Sequence, residues 1–297
     1  MELESGAELF GRLRALDHRR SIVVPVFFES LAAGEVYEIA GVSGAGKSQF
    51  LYTVVVNTAM PRCAGGRQTG VILVDCDLKL SEYRLLNLLE TRLAAVSDQL
   101  TDLPKPKLNC VPCNSETVIG CLSRIHLIRC DSARALLHMF DHLDDFMMQH
   151  PNISLLCIDG ISSFSNDYDS SRAAFADQDK FIARLKQFTV EHQIPALCTC
   201  RLLVKVHQQQ QPMSETSSKS TKDEENNQYQ DNVSGVKHQR FDTMGRLWRR
   251  TVKETFELDI LHANPHQTVT EVKLRGTDVP PQHLVITNAG VDCYRKK

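Results

Sequence analysis

The chain has 297 residues, 42% hydrophobic and 24% charged, the balance of an ordinary globular protein rather than a disordered one. Lys and Arg total 34 against 36 Asp and Glu, a net charge of −2; this argues against bulk attraction to nucleic acid and leaves DNA contact to a local patch or a partner. The first residues carry no basic stretch followed by an apolar run, and nothing approaches the roughly 18 apolar residues of a membrane helix. The expectation is no export and no membrane, so the ten cysteines read as reduced thiols, with Cys157 and Cys198 as small buried hydrophobes.

Residues 5–16 place Leu9, Leu13 and Leu16 at helical spacing. An extended stretch follows from Ile22 to Phe28. The N-terminal segment, 1–34, is too short for a domain. Its apolar Val26, Phe27 and Phe28 make residues 22–28, or the preceding helix, a candidate partner contact; packing on the chain's own core is the alternative. Glu35 to Ala40 reads as a strand that runs into a glycine-rich turn, and Phe50 to Met60 as a helix closed by Pro61 and Gly65-Gly66. Val71 to Val74 is a continuous apolar run, as in a strand buried on both faces. Residues 81–95 return to helical period through Leu85, Leu88, Leu89 and Leu93. Residues 97–118, with Pro104, Pro106 and Pro112, read as an insertion.

Further along, Ile125 to Ile128 predicts a strand, 133–149 a helix, Ser154 to Ile158 a strand, 173–192 a helix and Ala196 to Thr199 a strand. The stretch 207–240, with Gln208 to Gln211 and almost nothing apolar, predicts a flexible polar loop. The tail alternates like strands in Phe256/Leu258/Ile260, Val269/Val272/Leu274 and Leu284/Ile286, and Asn288-Ala289-Gly290 suggests a closing hairpin. The expected fold is α/β: a mostly parallel sheet with helices on both faces and a C-terminal antiparallel strand extension. Residues 35–206 form its core, and 241–297 complete it.

Gly41-Val42-Ser43-Gly44-Ala45-Gly46-Lys47-Ser48 fits G-x-x-x-x-G-K-[ST] between a strand and a helix. Glycines let backbone N–H groups wrap phosphates, and the helix N-terminus adds a positive dipole end. Lys47 can reach the β- and γ-phosphates, and the Ser48 hydroxyl can ligate Mg²⁺. The apolar strand ending in Asp159 supplies a second Mg²⁺ group. Asp75 and Asp77 follow another strand at the sheet's carboxyl edge, where ligands of open α/β sheets bind; Asp77 is the better candidate to orient water, on the resemblance given below, with a solvated turn carboxylate as the alternative.

In this order of parts, the chain resembles the RecA-like strand-exchange recombinases and their eukaryotic paralogues. Within that superfamily, the resemblance to a paralogue rests on Glu4-Ser5-Gly6-Ala7-Glu8-Leu9 with Arg12-Leu13, Leu51-Tyr52, Arg84-Leu85, Leu89-Glu90-Thr91-Arg92-Leu93 and His150-Pro151. It covers roughly 4–95 and 119–201. It implies an ATPase core without the helical N-terminal domain of full recombinases, using ATP and Mg²⁺. It also implies homologous recombination in the nucleus within a hetero-oligomer of paralogues, touching the D-type paralogue most directly, on single-stranded or branched DNA.

Asp77 falls where full recombinases carry a water-activating Glu. Thr199-Cys200-Arg201 falls where active ones carry Asn-Gln, a γ-phosphate sensor; Arg cannot accept a hydrogen bond as Gln can. ATP binding with slow or absent hydrolysis, as a weak DNA-dependent ATPase needing partner subunits, is the expectation. The alternative is a scaffold whose nucleotide site is vestigial; an autonomous kinase or motor is weaker.

Arg246, Arg249, Arg250 and Lys253 cluster beside Trp248 in the region that follows the DNA-facing loops of such folds. They are candidate DNA contacts, with a solvated helix face as the alternative. Lys219 and Lys222 are balanced by Asp223, Glu224 and Glu225. Cys110-Val111-Pro112-Cys113 lacks a second ligand pair for zinc beyond Cys121 and His126. His138, His142 and His150 read as surface residues.

Overall fold

Two short strands open the described chain: β1 (Ser21–Val23) pairs antiparallel with β2 (Ser30–Ala32), Ile22 opposite Leu31. The computed structural model describes residues 21–23, 30–101, 115–164, 172–206, 230–233, 236–241, 244–264 and 266–293. The expected helix at 5–16 lies outside them.

The five apolar runs become five parallel strands: β3 (Val36–Gly41), β4 (Gly70–Asp75), β5 (Ile125–Arg129), β6 (Ile153–Asp159) and β7 (Ala196–Arg201). The tail adds β11 (Val252–Ala263), β12 (Thr268–Leu274), β13 (Gln282–Thr287) and β14 (Gly290–Cys293). Together they form one nine-stranded sheet in the order β14-β13-β12-β11-β3-β7-β6-β4-β5. Pairing is parallel from β11 to β5 and antiparallel from β11 to β14, as expected from the sequence.

The helices are α1 (Lys47–Ala59), α2 (Glu82–Thr101), α3 (Ser115–Leu122), α4 (Ala133–Gln149), α5 (Arg172–Glu191) and α6 (Gly245–Thr251). Strand side chains alternate between two cores because their period is two. Val71 and Leu73 of β4 join α1 and α2 on one face, whereas Ile72 and Val74 join α4, α5 and α6 on the other. The continuous apolar run is the sequence mark of that double burial. On the second face, α4 starts at Ser132, whose side chain accepts from the Ala135 N–H at 3.2 Å. Its Phe140 packs on Phe181 and Phe188 of α5, with ring centroids 6.0 and 5.4 Å apart.

Three expectations differ from the fold. The segment 97–118 is helical at both ends, since α2 runs to Thr101 and α3 starts at Ser115. α3 buries only Thr117 and Cys121, too few positions for a period to show. Residues 102–114, with Cys110 and Cys113, lie outside the described residues. Within 207–240, β9 (Gln230–Val233) and β10 (Val236–Phe241) form a three-stranded sheet with β8 (Leu203–Val206), in the order β8-β10-β9. Its ladder is made by backbone groups, which leave no apolar pattern; residues 207–229, with Lys219 and Lys222, lie outside the described part.

Val269 does not share a face with Val272, because an odd spacing crosses the strand. Thr270 takes the core position instead, fully buried. The extended stretch from Ile22 is a described strand only to Val23, and Phe27 and Phe28 lie outside. Among the described residues no helix is long and apolar enough to cross a membrane.

Candidate nucleotide-binding site

The carboxyl ends of β3, β4, β6 and β7 meet at a cleft of about 490 Å³. β3 ends at Gly41 and α1 begins at Lys47, so the glycine-rich segment is the turn between a buried strand and a helix. Gly44 and Gly46 have φ of 84° and 90°, a left-handed region that side chains disfavour. Gly46 caps α1 without any side-chain cap, so the N–H groups of its first turn remain a site for an anion.

Lys47 Nζ donates to the carbonyls of Gly41 and Val42 at 2.9 and 2.8 Å. Burial pushes its pKa down, and the nearby Arg201 charge adds to that. One turn on, Ser48 Oγ donates to Asp159 Oδ1 at 3.0 Å. The other Asp159 oxygen, Oδ2, accepts from Tyr52 OH at 2.8 Å, and Thr199 Oγ1 donates to Oδ1 at 2.6 Å. Thr199 Oγ1 itself accepts from the Gly160 N–H at 2.7 Å. Burial raises the Asp159 carboxyl, and the three donors from Thr199, Tyr52 and Ser48 oppose that rise. Three donors on one buried carboxylate keep it oriented toward the cleft, which it lines.

The two turn aspartates separate. Asp77 lines the cleft, where Ser163 Oγ donates to its Oδ1 and Lys79 Nζ stands 3.4 Å from its Oδ2. Asp75 is buried and accepts from the Leu80 N–H at 2.9 Å, the bond of a turn cap. Ser43, Gly44, Gly46, Lys47, Ser48, Asp77 and Asp159 line one cleft; Gly41, Val42 and Ala45 build its loop without lining it. The oxygen donors at Ser48 and Asp159 suit a hard divalent cation such as Mg²⁺, and the left-handed glycine loop suits phosphate.

Sequence reasoning did not give Tyr52 and Thr199 a role in this site. Tyr52 carried a signal, since it lies four residues after Ser48 and so on the same face of α1. Thr199 carried only its place near a strand end, in the tripeptide that the resemblance sets against the Asn-Gln of active recombinases. Arg84 is one of the residues that carry the resemblance. In the fold its Nε donates to Gln49 Oε1 at 2.9 Å and its Nη1 to the Asn288 carbonyl at 2.8 Å, tying the cleft-lining Gln49 to the β13–β14 hairpin.

The basic cluster is not part of this cleft. Val252, next to Arg249, Arg250 and Lys253, pairs with Val36 at the start of β3, whereas Leu258 pairs with Gly41 at its end. Arg246, Arg249, Arg250 and Lys253 are exposed. Trp248 is buried, and its Nε1 donates to Glu38 Oε1 at 2.7 Å. His138 and His142 are exposed; His150 is half-buried against Phe146 and His126. Cys157 and Cys198 are fully buried, and burial raises both thiols.

An AAA domain family model matches residues 3–202. Over 163 residues the chain is 29% identical to DNA repair protein XRCC2 of Mus musculus, covering 54% of this chain and 52% of that protein. DNA repair protein RAD51 homolog 3 of Cricetulus griseus is 23% identical over 174 residues, 58% and 47% of the two chains. DNA repair protein RAD51 homolog 2 of Homo sapiens is 24% identical over 175 residues, 57% and 41%. The matched stretch spans about half of each relative's length.

Proposed function

The chain belongs to the AAA domain family and has a RecA-like core, and from that premise we propose that it is an ATP-binding recombinase paralogue. It acts in homologous recombination repair of DNA double-strand breaks and damaged replication forks. It works in the nucleus as a subunit of a paralogue complex, against the D-type paralogue, assisting the strand-exchange filament. The observation that carries the reading is the Ser48–Asp159 hydrogen bond of 3.0 Å across 111 residues of sequence. It supports a nucleotide site assembled from two distant motifs, and so favours binding over a vestigial scaffold.

The backbone around Gly44 and Gly46 would wrap the phosphates of ATP, and Lys47 would turn from the Gly41 and Val42 carbonyls to the β- and γ-phosphates. Ser48 and Asp159 would hold Mg²⁺, which supplies positive charge to offset the phosphates. Asp77 would orient water. A shorter carboxylate, engaged by Ser163 and Lys79, supports slow turnover that depends on partner subunits. Single-stranded or branched DNA would be met within the complex, with Arg246, Arg249, Arg250 and Lys253 as the local basic surface.

Equilibrium binding of ATP to the full chain, alone and with its paralogue partner, tests the reading. Lys47→Ala is expected to lower ATP affinity by at least about tenfold, the value of one charge-assisted phosphate contact. Unchanged ATP affinity together with unchanged repair in cells would support the scaffold instead.

A further inference from the structure

We propose that Ser163 is a positioning residue for water attack in this cleft: its hydroxyl holds the Asp77 carboxylate in the orientation from which Asp77 acts on a water beside the terminal phosphate. The inference rests on the nucleotide reading of the cleft and deepens it.

The pair follows from strand register. β4 and β6 lie side by side with Asp75 opposite Asp159, and the Cys76 N–H donates to the Asp159 carbonyl at 2.9 Å. The segments that leave the two strands therefore stay neighbours. One carries Asp77. The other passes through Gly160, at a φ of 84°, into a short 3₁₀ turn, Ile161–Phe164. The Ser163 N–H closes that turn on the Gly160 carbonyl at 2.8 Å, and its Oγ donates to Asp77 Oδ1. A Cβ on Gly160 would stand 2.8 Å from both of these side-chain oxygens, so glycine leaves the room in which they meet. Leu78, next to Asp77, has a φ of 53°, a conformation that a leucine keeps only where surrounding contacts impose it. Asp77, Gly160 and Ser163 all line the cleft.

Among the described residues two groups engage Asp77. Lys79 Nζ is 3.4 Å from Oδ2 on an exposed side chain, a contact that solvent screens and a long stem holds loosely. Ser163 is half-buried on a hydrogen-bonded turn, and a hydroxyl–carboxylate bond is charge-assisted. The orientation of Asp77 thus depends chiefly on Ser163. That bond does not exhaust the carboxylate, whose two oxygens offer about four acceptor sites. In the assisted step Asp77 takes a proton from water as the water oxygen bonds to the terminal phosphorus. The bond to the β-phosphate oxygen breaks, its electron pair leaves with ADP, and the proton passes from Asp77 to solvent. The short side chain keeps this step slow; an unheld one would also sample orientations that miss the water.

The test measures ATP turnover and ATP affinity of the full chain in its paralogue complex, with the Lys47→Ala complex as the background from other subunits. Ser163→Ala is expected to lower turnover above that background by about tenfold to a hundredfold. ATP affinity should stay within about twofold, the split expected of a group that serves the step rather than binding. Ser163→Thr, which keeps the hydroxyl, should recover most of the loss. In an Asp77→Asn background, adding Ser163→Ala should change turnover less than about twofold, because Ser163 acts through Asp77. Unchanged turnover in Ser163→Ala overturns the proposal, as does a parallel loss of affinity or a full effect in the Asp77→Asn background. A wild type that binds ATP but turns it over no faster than the background overturns the role of Ser163 and leaves the phosphate-loop reading standing. Failure of the wild type to bind ATP overturns both.

Discussion

The side chain of Ile286 fills the space in which a Cβ on Gly46 would stand, with its Cδ1 as the blocking atom. The phosphate loop is therefore backed by β13, a strand of the C-terminal extension, beyond residues 3–202. Thr270 of β12 adds a hydrogen bond from its Oγ1 to the Ala45 carbonyl at 3.3 Å. The core's most functional loop is thus held from both sides, by its own helix and by the added strands.

A double-mutant cycle measures this contact. Gly46→Ala should cost about 2 kcal/mol, from left-handed strain together with the collision. Ile286→Val, which removes the blocking methyl, should cost about 1 kcal/mol alone. The double variant should cost about 1 kcal/mol less than the sum, as residues in contact couple. Urea unfolding reads all three; additivity would mean that Ile286 does not constrain the loop.

Tyr52→Phe removes one of the three donors to Asp159 and should destabilise the chain by about 1–2 kcal/mol at neutral pH. The pH dependence has a definite sign. Burial raises the folded Asp159 pKa while the Tyr52 bond lowers it, so the variant raises it further. A carboxyl with a raised folded pKa favours folding when protonated, and loses that contribution as pH rises through the folded pKa. The cost of Tyr52→Phe is accordingly largest above that pKa and shrinks as pH falls through it. Denaturation midpoints of both proteins across the acid range check this; a pH-independent difference would remove Asp159 as the partner that matters.

Replacing Arg246, Arg250 and Lys253 together by Ala should leave folding stability within about 0.5 kcal/mol, since all three are exposed. Binding of the paralogue complex to single-stranded DNA should weaken, and the slope of log K against log salt should fall by about two. An unchanged slope would return the cluster to a solvated helix face anchored by Trp248.

Much of the site was legible in the sequence because its parts obey local rules. Gly44, Gly46, Lys47 and Ser48 are bound by a fixed spacing, since a loop that wraps phosphate needs glycines at set positions before a helix. The parallel strands were legible because burial on both faces leaves an unbroken apolar run, as in Val71 to Val74. Asp159 was legible as the polar end of such a run. Tyr52 and Thr199 were not read as partners of Asp159, because hydrogen bonding across 107 and 40 residues has no period. The pairing of β9 with β10 was hidden for the same kind of reason, since backbone ladders need no apolar pattern.

The sequence by itself determined the five buried strands and the long helices in their chain order, the phosphate-loop motif and its candidate ligating side chains, since these depend on neighbours within a turn or a strand. Only the tertiary structure decided which of Asp75 and Asp77 faces the cleft, how Ile286 backs Gly46, and where the Arg201 charge stands. Those depend on which strand lies beside which: β7 flanks β3 on one side and β11 on the other, and no local spacing encodes that adjacency.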